Sequence, residues 1–396
     1  MTAVRSQFLH FAPPLIGDEE IEEVVRTLRE GWLTTGPRTQ HFESDFVEFI
    51  GAPAALAVNS ATSAMHIALA ALGVGEGDSV ISTTMTFAST IHVIEHQRAH
   101  PVLVDVEPDT LNLDPEQVDA AVRRTPNVKA IIPVHLYGHP ADMDPIYEIA
   151  SRHGIAVIED AAHALPARYR GRMIGAPRQG FDFPNLVAFS FYATKNLTTG
   201  EGGMLTGPAA LIDDARVWSL HGMSRDAFKR YTSDGSWRYD VVLPGFKYNM
   251  PDVQAALGIH QLKKLEAMQR RRRAIVEQYD EALGQIPELD LPVERDEVES
   301  AWHIYLLRLR VGALKIDRAA FIDEVRRRNI GTSVHFIPIH QHSYYRDRYR
   351  LRPDDFPVAQ REFERMLSLP LSPAHSDKDV ADVIEAVTEV VSQNRA

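Results

Sequence analysis

Short apolar runs alternate with helical segments between about residues 52 and 206, and this alternation restricts the possible folds more than any other feature of the chain. The runs are of strand length and cover residues 54–58, 80–82, 102–106, 130–134, 156–158 and 186–191. Such a rhythm is typical of parallel strands joined by crossover helices. The sequence therefore predicts an α/β fold with a mostly parallel central sheet and flanking helices.

The rest of the chain predicts a second, smaller domain. With 396 residues, the chain is longer than one hydrophobic core usually serves. Further helices are predicted over residues 18–30, from near 251 to 280, over 317–329 and over 377–392, with a strand over 302–311. In the first of these helices, Ile21, Val24, Val25 and Leu28 share one side. We expect a large α/β domain over residues 1–250 and a small C-terminal α+β domain over residues 251–396.

Lys195 is the first candidate for chemistry. The apolar run 186–191 leads directly to it, and a glycine-rich turn follows at residues 200–203. An amine beside apolar walls loses hydration, which disfavours its charged form and makes it a nucleophile. Lysines of this kind bind carbonyl compounds covalently, including pyridoxal phosphate (PLP). An ordinary surface lysine after a strand is the alternative.

Asp160 follows the apolar run 155–158, which reads as a central strand buried on both faces. Its carboxylate would emerge at the C-terminal edge of the sheet, where α/β folds bind ligands. There it could keep a pyridinium nitrogen protonated, or it could simply cap the next turn. His163 lies three residues further on. It could reach a ring oxygen of a cofactor, or be a packed core histidine.

The segment 59–72 predicts a helix whose N-terminus could bind phosphate. Ser60 and Thr62 suit the cap and first turn, and an Ala- and Leu-rich helical pattern follows. Free N–H groups and the positive end of the helix dipole attract anions there, although plain capping explains the same residues. Phe87 could stack on a cofactor ring or lie in the core. Asn249 is a further polar candidate, or a turn residue.

Composition excludes several other classes of protein. The net charge is −12, from 42 Lys and Arg against 54 Asp and Glu, which argues against a general nucleic-acid binder. The absence of cysteine excludes disulfides and thiolate metal sites. No apolar run approaches the ~20 residues of a membrane span, and a signal-peptide pattern is lacking. We therefore expect a cytoplasmic protein that binds neither nucleic acid nor membrane.

Two clusters invite other interpretations. His335, His340 and His342 could suggest a metal, but their spacing fits neither one helix face nor one strand face. Pro338 also interrupts regular structure between them, so no metal site is predicted. The four arginines at 270–273 are typical of a solvated helix face rather than a binding patch.

Four motifs together make the chain resemble the sugar aminotransferases of the DegT/StrS type, within the fold-type I PLP enzymes. They are Asn-Ser-Ala-Thr at 59–62, Glu-Asp-Ala-Ala-His at 159–163, Thr-Lys-Asn-Leu-Thr-Thr-Gly-Glu-Gly-Gly at 194–203 and Tyr-Asn-Met-Pro-Asp-Val-Gln-Ala-Ala-Leu-Gly at 248–258. The resemblance extends from residues 31–37 to residues 331–336, and so covers most of the chain.

This resemblance implies a role for each matching residue. Lys195 would bind PLP covalently, Asp160 would pair with the ring nitrogen and His163 would reach the ring hydroxyl. The phosphate would be held by Ser60, Ala61, Thr62 and Ser190, and Phe87 would stack on the ring. Asn249 would reach the phosphate in the neighbouring subunit of a homodimer with shared active sites. Substrate contacts are implied for Trp32, Thr34, His335 and Phe336.

The resemblance also implies a reaction. An amino group would pass from glutamate to a nucleotide-linked keto-sugar, with the 331–336 segment favouring a 4-keto-6-deoxyhexose. A 3-keto-sugar or aminocyclitol substrate is the alternative, as is a catalytically silent PLP-binding regulatory protein. PLP-dependent sugar dehydratases of similar sequence replace the lysine by histidine, so Lys195 argues against that activity.

Two segments stand apart from these motifs. Residues 172–185 are longer and more aromatic than the short glycine-rich link of the resembling enzymes, and are expected to alter the edge of the substrate pocket. Residues 224–247 combine aromatic, charged and glycine residues and are expected to form a functional loop.

Overall fold

A mixed seven-stranded sheet lies at the centre of the computed structural model, which describes residues 5–181, 183–224 and 239–396. Across the sheet, the strands are β1 (Ala54–Val58), β9 (Gly203–Gly207), β8 (Asn185–Ser190), β5 (Ala156–Asp160), β4 (Val128–Ile132), β2 (Ser79–Thr83) and β3 (His100–Val104). The strands from β8 to β3 run parallel, and β9 is antiparallel to both of its neighbours. The predicted mostly parallel sheet is confirmed.

Helices cover both faces of this sheet, as the alternation of apolar runs predicted. Those packed on one face are α3 (Ala61–Ala71), α4 (Ser89–His96) and α7 (Ala209–Ser219). Those on the other face are α2 (Pro37–Ile50), α5 (Pro115–Arg124), α6 (Met143–His153) and the first half of α8 (Asp252–Leu283). Because both faces are buried, β2 and β5 are buried along their whole length.

Strand β9 is an element that the sequence did not predict. It has glycine at both ends, and glycine usually weakens a strand. A Cβ atom at Gly203 would lie 2.5 Å from Ser60 C and 2.7 Å from Ala61 N. The strand therefore needs glycine here, because its backbone passes directly against the start of α3.

The C-terminal region has its own antiparallel sheet of β10 (Leu289–Asp290), β12 (Tyr305–Leu309) and β13 (Met366–Leu369). Its other elements are α9 (Arg318–Arg327), α10 (Ser343–Tyr349), α11 (Pro357–Arg365) and α12 (Asp377–Gln393). A third small sheet joins β11 (Val298–Glu299) to β6 (Arg168–Tyr169) and β7 (Arg172–Met173). Helix α8 packs into both main cores, through Ile259 on one side and Tyr279 on the other. The division at residue 250 stays a prediction.

Helix α1 (Asp18–Glu30) turns its polar side inward. Glu20 is fully buried, and its carboxylate accepts hydrogen bonds from Lys264 Nζ (2.6 Å) and Gln261 Nε2 (2.9 Å) of α8. About a quarter of a turn around the helix from Glu20, Ile21 and Leu28 keep 54% and 55% of their surface exposed. The amphipathic helix is present, but its apolar side faces away from the core of its own chain.

Residues 172–185, which are expected to alter the edge of the substrate pocket, pack against the core of their own chain, and their effect on that pocket stays a prediction. The rings of Phe181 and Phe183 pack at an angle against Tyr147 of α6, with ring centroids 5.3 and 5.1 Å from that of Tyr147. No described residue of the segment lines the cavity presented below, because the aromatic side chains complete the core beneath α6. Most of the loop expected at 224–247, residues 225–238, lies outside the described residues.

Membrane spanning can be tested directly on the helices. Among the described residues, none of the helices is both long enough and apolar enough to cross a bilayer.

Candidate active site

A cavity of about 470 Å³ opens at the C-terminal edge of the parallel strands. Ten of the residues singled out from the sequence line it: Ser60, Ala61, Thr62, Phe87, Asp160, His163, Ser190, Lys195, His335 and Phe336. They come from segments as far apart as the start of α3 and the small domain. The fold thus brings residues from one end of the chain to the other into a single cavity.

Lys195 lies in the wall of this cavity, in the turn that follows β8. Its backbone N–H donates to Tyr192 O (2.9 Å), which fixes the turn. Burial lowers the pKa of the amine to about 8, and the nearby Asp160 carboxylate opposes part of that shift. A substantial fraction of the side chain is therefore the neutral amine near pH 8, as a nucleophile requires.

Asp160 ends β5 at the floor of the cavity and is buried. Thr90 Oγ1 donates to Asp160 Oδ2 (2.8 Å), and Ala162 N donates to Asp160 Oδ1 (3.1 Å). Burial raises the pKa of the carboxyl group, while these hydrogen bonds and Lys195 act in the opposite direction. A cationic group placed beside the carboxylate would restore its ionised form.

His163 is buried next to Asp160 and has a defined tautomer. The backbone N–H of Tyr137 donates to His163 Nδ1 (3.2 Å), so the ring proton is assigned to Nε2. Burial, followed by the charges of Lys195 and His335, holds its pKa well below the usual value. The His163 imidazole in the cavity wall is therefore neutral, with an N–H donor at Nε2.

The start of α3 presents free donors to the cavity. Ser60 is the N-cap, and its Oγ accepts a hydrogen bond from Ser63 N (3.1 Å). The N–H groups of Ala61 and Thr62, in the first turn, have no acceptor within the helix. These two N–H groups and the positive end of the helix dipole form an anion-binding corner.

Phe87 is not a core residue, because 59% of its surface is exposed. Its ring centroid lies 5.6 Å from that of Phe336, and the Phe336 ring stacks at the same distance from His163. His335 Nδ1 lies 2.9 Å from Ser368 Oγ of β13. This aromatic side of the cavity joins the large domain to the small one.

Three residues predicted for the site lie outside the cavity of their own chain: Trp32, Thr34 and Asn249. They gather around Thr35 instead. Asn249 Nδ2 donates to Thr35 Oγ1 (2.7 Å), and Trp32 Nε1 donates to Thr35 O (3.2 Å). Thr34 O accepts from Asp252 N (3.1 Å). The chain alone does not unite these three residues with Lys195.

Residues in or next to the cavity that the sequence did not indicate include Thr86, Thr90 and His303. Thr86 and Thr90 lie within three residues of Phe87, yet no local pattern indicated the hydrogen bond from Thr90 to Asp160. His303 lies in the cavity wall with its ring 4.5 Å from that of His163. It had no local signal, because its contacts come from residues over 100 positions away.

The fold and the cavity together define a PLP-dependent aminotransferase of fold type I. The chain belongs to the DegT/DnrJ/EryC1/StrS aminotransferase family, whose model matches residues 14–388. This confirms the resemblance seen in the sequence. Members of the family use PLP, and the chain is a sugar aminotransferase.

Individual relatives agree over nearly the full length. The chain is 50% identical to the spore coat polysaccharide biosynthesis protein SpsC of Bacillus subtilis (strain 168), over 99% of each chain. It is similar to the PLP-form of Spr1654 from Streptococcus pneumoniae (33% identity, TM-score 0.89, 98% of this chain and 99% of that one). It is also similar to the sugar aminotransferase CalS13 from Micromonospora echinospora (28%, TM-score 0.84, 96% and 99%).

Proposed function

We propose that the protein transfers an amino group from glutamate to a nucleotide-linked 4-keto-6-deoxyhexose, with Lys195 as the covalent anchor for PLP and the catalytic base. The observation that carries the proposal is the convergence of Lys195, Asp160, His163 and the start of α3 in one cavity. The name of the relative SpsC, which refers to polysaccharide biosynthesis, supports a role in sugar metabolism.

The residues around the cavity fit PLP. Its volume of about 470 Å³ is within the ordinary range for ligand sites. The phosphate would be held by Ala61 and Thr62 N–H, the Thr62 hydroxyl and Ser190. Ser60 would join them, because accepting from Ser63 N uses only a lone pair and its hydroxyl proton can turn towards the phosphate. The backbone of Gly203 lies against this corner, where no larger residue would fit. The anion-binding corner is therefore narrow.

The remaining groups would orient the ring. Asp160 would hold the proton on the ring nitrogen, and its hydrogen bonds to Thr90 and Ala162 leave lone pairs for that purpose. The assigned Nε2–H of His163 would donate to the ring oxygen. Phe87 would cover one face of the ring. His335 and Phe336 are proposed to contact the sugar.

When bound, PLP supplies an aldehyde that joins to amines and a protonated ring that withdraws electrons from the bonds beside them. The chain supplies the proton transfer. Lys195 Nζ takes a proton from the donor's α-carbon and later returns one to the sugar carbon that receives the amine, as general base and then general acid. Its pKa of about 8 suits both roles. Asp160 holds the compensating negative charge near the ring nitrogen.

We further propose a homodimer in which each cavity is completed by the partner. The apolar side of α1, with Ile21 and Leu28, continues into Trp32 and Leu33, and all four side chains are exposed. A contiguous apolar surface of this kind is typical of an interface. It adjoins the Trp32, Thr34 and Asn249 group, which lies outside the cavity of its own chain. A partner seated on this surface would carry those residues towards its neighbour's site.

Introducing negative charge on the apolar side of α1 tests whether this surface forms the dimer interface. We expect the double variant Ile21→Glu, Leu28→Glu to sediment as a monomer and to lose most of its activity, because burying two carboxylates in an apolar interface is strongly unfavourable. Val311→Glu, at a side chain that is 84% exposed, is the matched control and should remain dimeric. A wild-type protein that sediments as a monomer, or a double variant that stays dimeric and active, would contradict the proposal.

The pH dependence of PLP capture tests the role of Lys195. Because the neutral amine is the nucleophile, the rate of covalent capture by the apo-protein should rise about tenfold per pH unit below the lysine's pKa. It should level off above pH 8, since burial lowers that pKa to about 8. Stopped-flow absorbance measures the rate. Nα-acetyl-lysine, which has a free side-chain amine, is the control, and its rate should keep rising towards its pKa of ~10.4. A protein profile that follows the free lysine would show that the site does not activate Lys195.

The substrates can be identified by colour. Glutamate should bleach the visible absorbance of the PLP-loaded protein, and the correct keto-sugar should restore it. A panel of nucleotide-linked 4-keto- and 3-keto-sugars and keto-cyclitols would identify the acceptor. Restoration by a 3-keto-sugar or a cyclitol alone would replace the 4-keto proposal. Colour that no amino donor bleaches would favour a silent PLP-binding protein.

A further inference from the structure

The chain segment that enters β12 lies across the large domain beside the catalytic lysine. The N–H groups of His303 and Ile304 both donate to Tyr137 O (3.0 and 3.2 Å), and Ala301 N donates to Gly138 O (2.9 Å). A Cβ atom at Gly138 would lie 2.9 Å from His303 N. The backbones therefore touch, and the segment is held firmly against the turn that also positions His163 through Tyr137 N.

Asn196, the residue after Lys195, connects the lysine turn to this segment. It is buried, and its Nδ2 donates to Ala301 O (2.7 Å). A carbonyl oxygen can only accept, so this bond fixes which end of the amide is which. Asn196 Oδ1 consequently faces His303 Nδ1, at 3.1 Å. Both ends of the Asn196 side chain are therefore hydrogen-bonded to the segment that enters β12.

The state of His303 follows from this contact. Because Asn196 Oδ1 can only accept, His303 Nδ1 must carry the proton, and Nε2 has a free lone pair. The imidazole is buried in the cavity wall. Burial, followed by the charges of Lys195 and His163, holds its pKa well below the usual value. A neutral ring beside Lys195 adds no repulsion to the ammonium form of the lysine.

We propose that His303 is a positioning residue for Lys195, acting through the hydrogen bond from its Nδ1 to Asn196 Oδ1. Together with the bond from Asn196 to Ala301 O, this contact fixes the turn on which the lysine amine is carried. The inference rests on the proposed role of Lys195. It adds to that role a physical link from the small domain to the reactive amine.

A matched pair of substitutions separates the proposed role from general packing. In His303→Asn, the amide nitrogen is as many bonds from Cα as the histidine Nδ1, so it can still donate to Asn196. In His303→Gln, the amide nitrogen is one bond further away, at the position of Nε2. We measure the rate constant of covalent PLP capture by the full-length apo-protein at pH 7.5, with thermal unfolding of each variant to confirm folding.

The expected result is a slowing of about tenfold for His303→Gln, the size of one well-formed hydrogen bond, and of at least as much for Asn196→Ala, which also breaks the bond to Ala301 O. His303→Asn should be slowed less than about threefold. In the Asn196→Ala background, His303→Gln should have no further effect, because both changes break the same link. A double variant that is about tenfold slower than Asn196→Ala alone, or a His303→Asn variant as slow as His303→Gln, would overturn the inference.

Two further outcomes are decisive. If His303→Gln does not fold, Asn196→Ala and His303→Asn together settle the question. An unchanged capture rate in Asn196→Ala, or a His303→Asn variant as slow as Asn196→Ala, would overturn the inference. Lys195→Ala is measured alongside the others. Covalent capture by that variant would overturn the proposed role of Lys195 itself, which is a different failure from normal capture by an Asn196 variant with its lysine intact.

Discussion

Replacing Lys195 with alanine is expected to slow amine transfer by at least about 10³-fold, because one side chain supplies both the covalent anchor and the moving proton. PLP should still bind, since the start of α3, Asp160 and His163 are unchanged. Only the covalent bond and the proton transfer should be lost. The measurement is the rate at which glutamate bleaches bound PLP, followed in a single turnover.

Lys263→Ala is the matched control, because this lysine is exposed on α8 far from the cavity wall. It should behave as the wild type. A small primary amine added to Lys195→Ala should restore part of the rate by supplying a base. Full turnover by Lys195→Ala without such help would show that another group carries the proton, and the proposed mechanism would be wrong.

Asp160→Asn is expected to reduce the rate of the glutamate reaction by about 10²- to 10³-fold, the usual cost of removing one well-placed electrostatic group. An amide has nearly the same shape as the carboxyl group, but it has no charge with which to keep a ring nitrogen protonated. Ala162 N can still donate to the remaining amide oxygen, and the Thr90 hydroxyl can turn to accept from the amide nitrogen that replaces Oδ2. The loss should therefore appear in the rate rather than in folding, and thermal unfolding measures the difference.

Asp296→Asn provides the control, because Asp296 is exposed outside the cavity. Its rate should match the wild type. If Asp160→Asn also kept the wild-type rate, the carboxylate would have no electronic role at the ring. Asp160 would then be a structural cap for the turn after β5, which was the alternative interpretation of the same residue.

Local patterns in the sequence were sufficient for most of the large domain. The apolar runs at 54–58, 130–134 and 156–158 correspond to β1, β4 and β5, because a sheet covered by helices on both faces needs hydrophobic strands. The start of α3 was predictable because capping chemistry is encoded within four residues. Asp160 could be predicted because it ends such a strand, and Lys195 because it lies in the turn after one, where parallel sheets present their functional side chains.

Features set by distant partners were not predictable. Glu20 is buried because Lys264 and Gln261, more than 200 residues later, complete its hydrogen bonds. Strand β9 exists because its glycine backbone can pass against Ser60 and Ala61. His303 joins the site through Asn196 and not through any neighbour in sequence. Phe181 and Phe183 pack against Tyr147 of α6, a contact that no local pattern in the 172–185 segment indicated.

Borohydride treatment of the PLP-loaded protein tests the covalent role of Lys195 most directly, because it makes the bond between an amine and the PLP aldehyde permanent. Proteolysis and mass spectrometry then locate the modified residue. We predict a single pyridoxyl group, on the peptide that contains Lys195, and none in Lys195→Ala. A protein that binds PLP but shows no adduct at Lys195, or carries it on another lysine, would contradict the central claim.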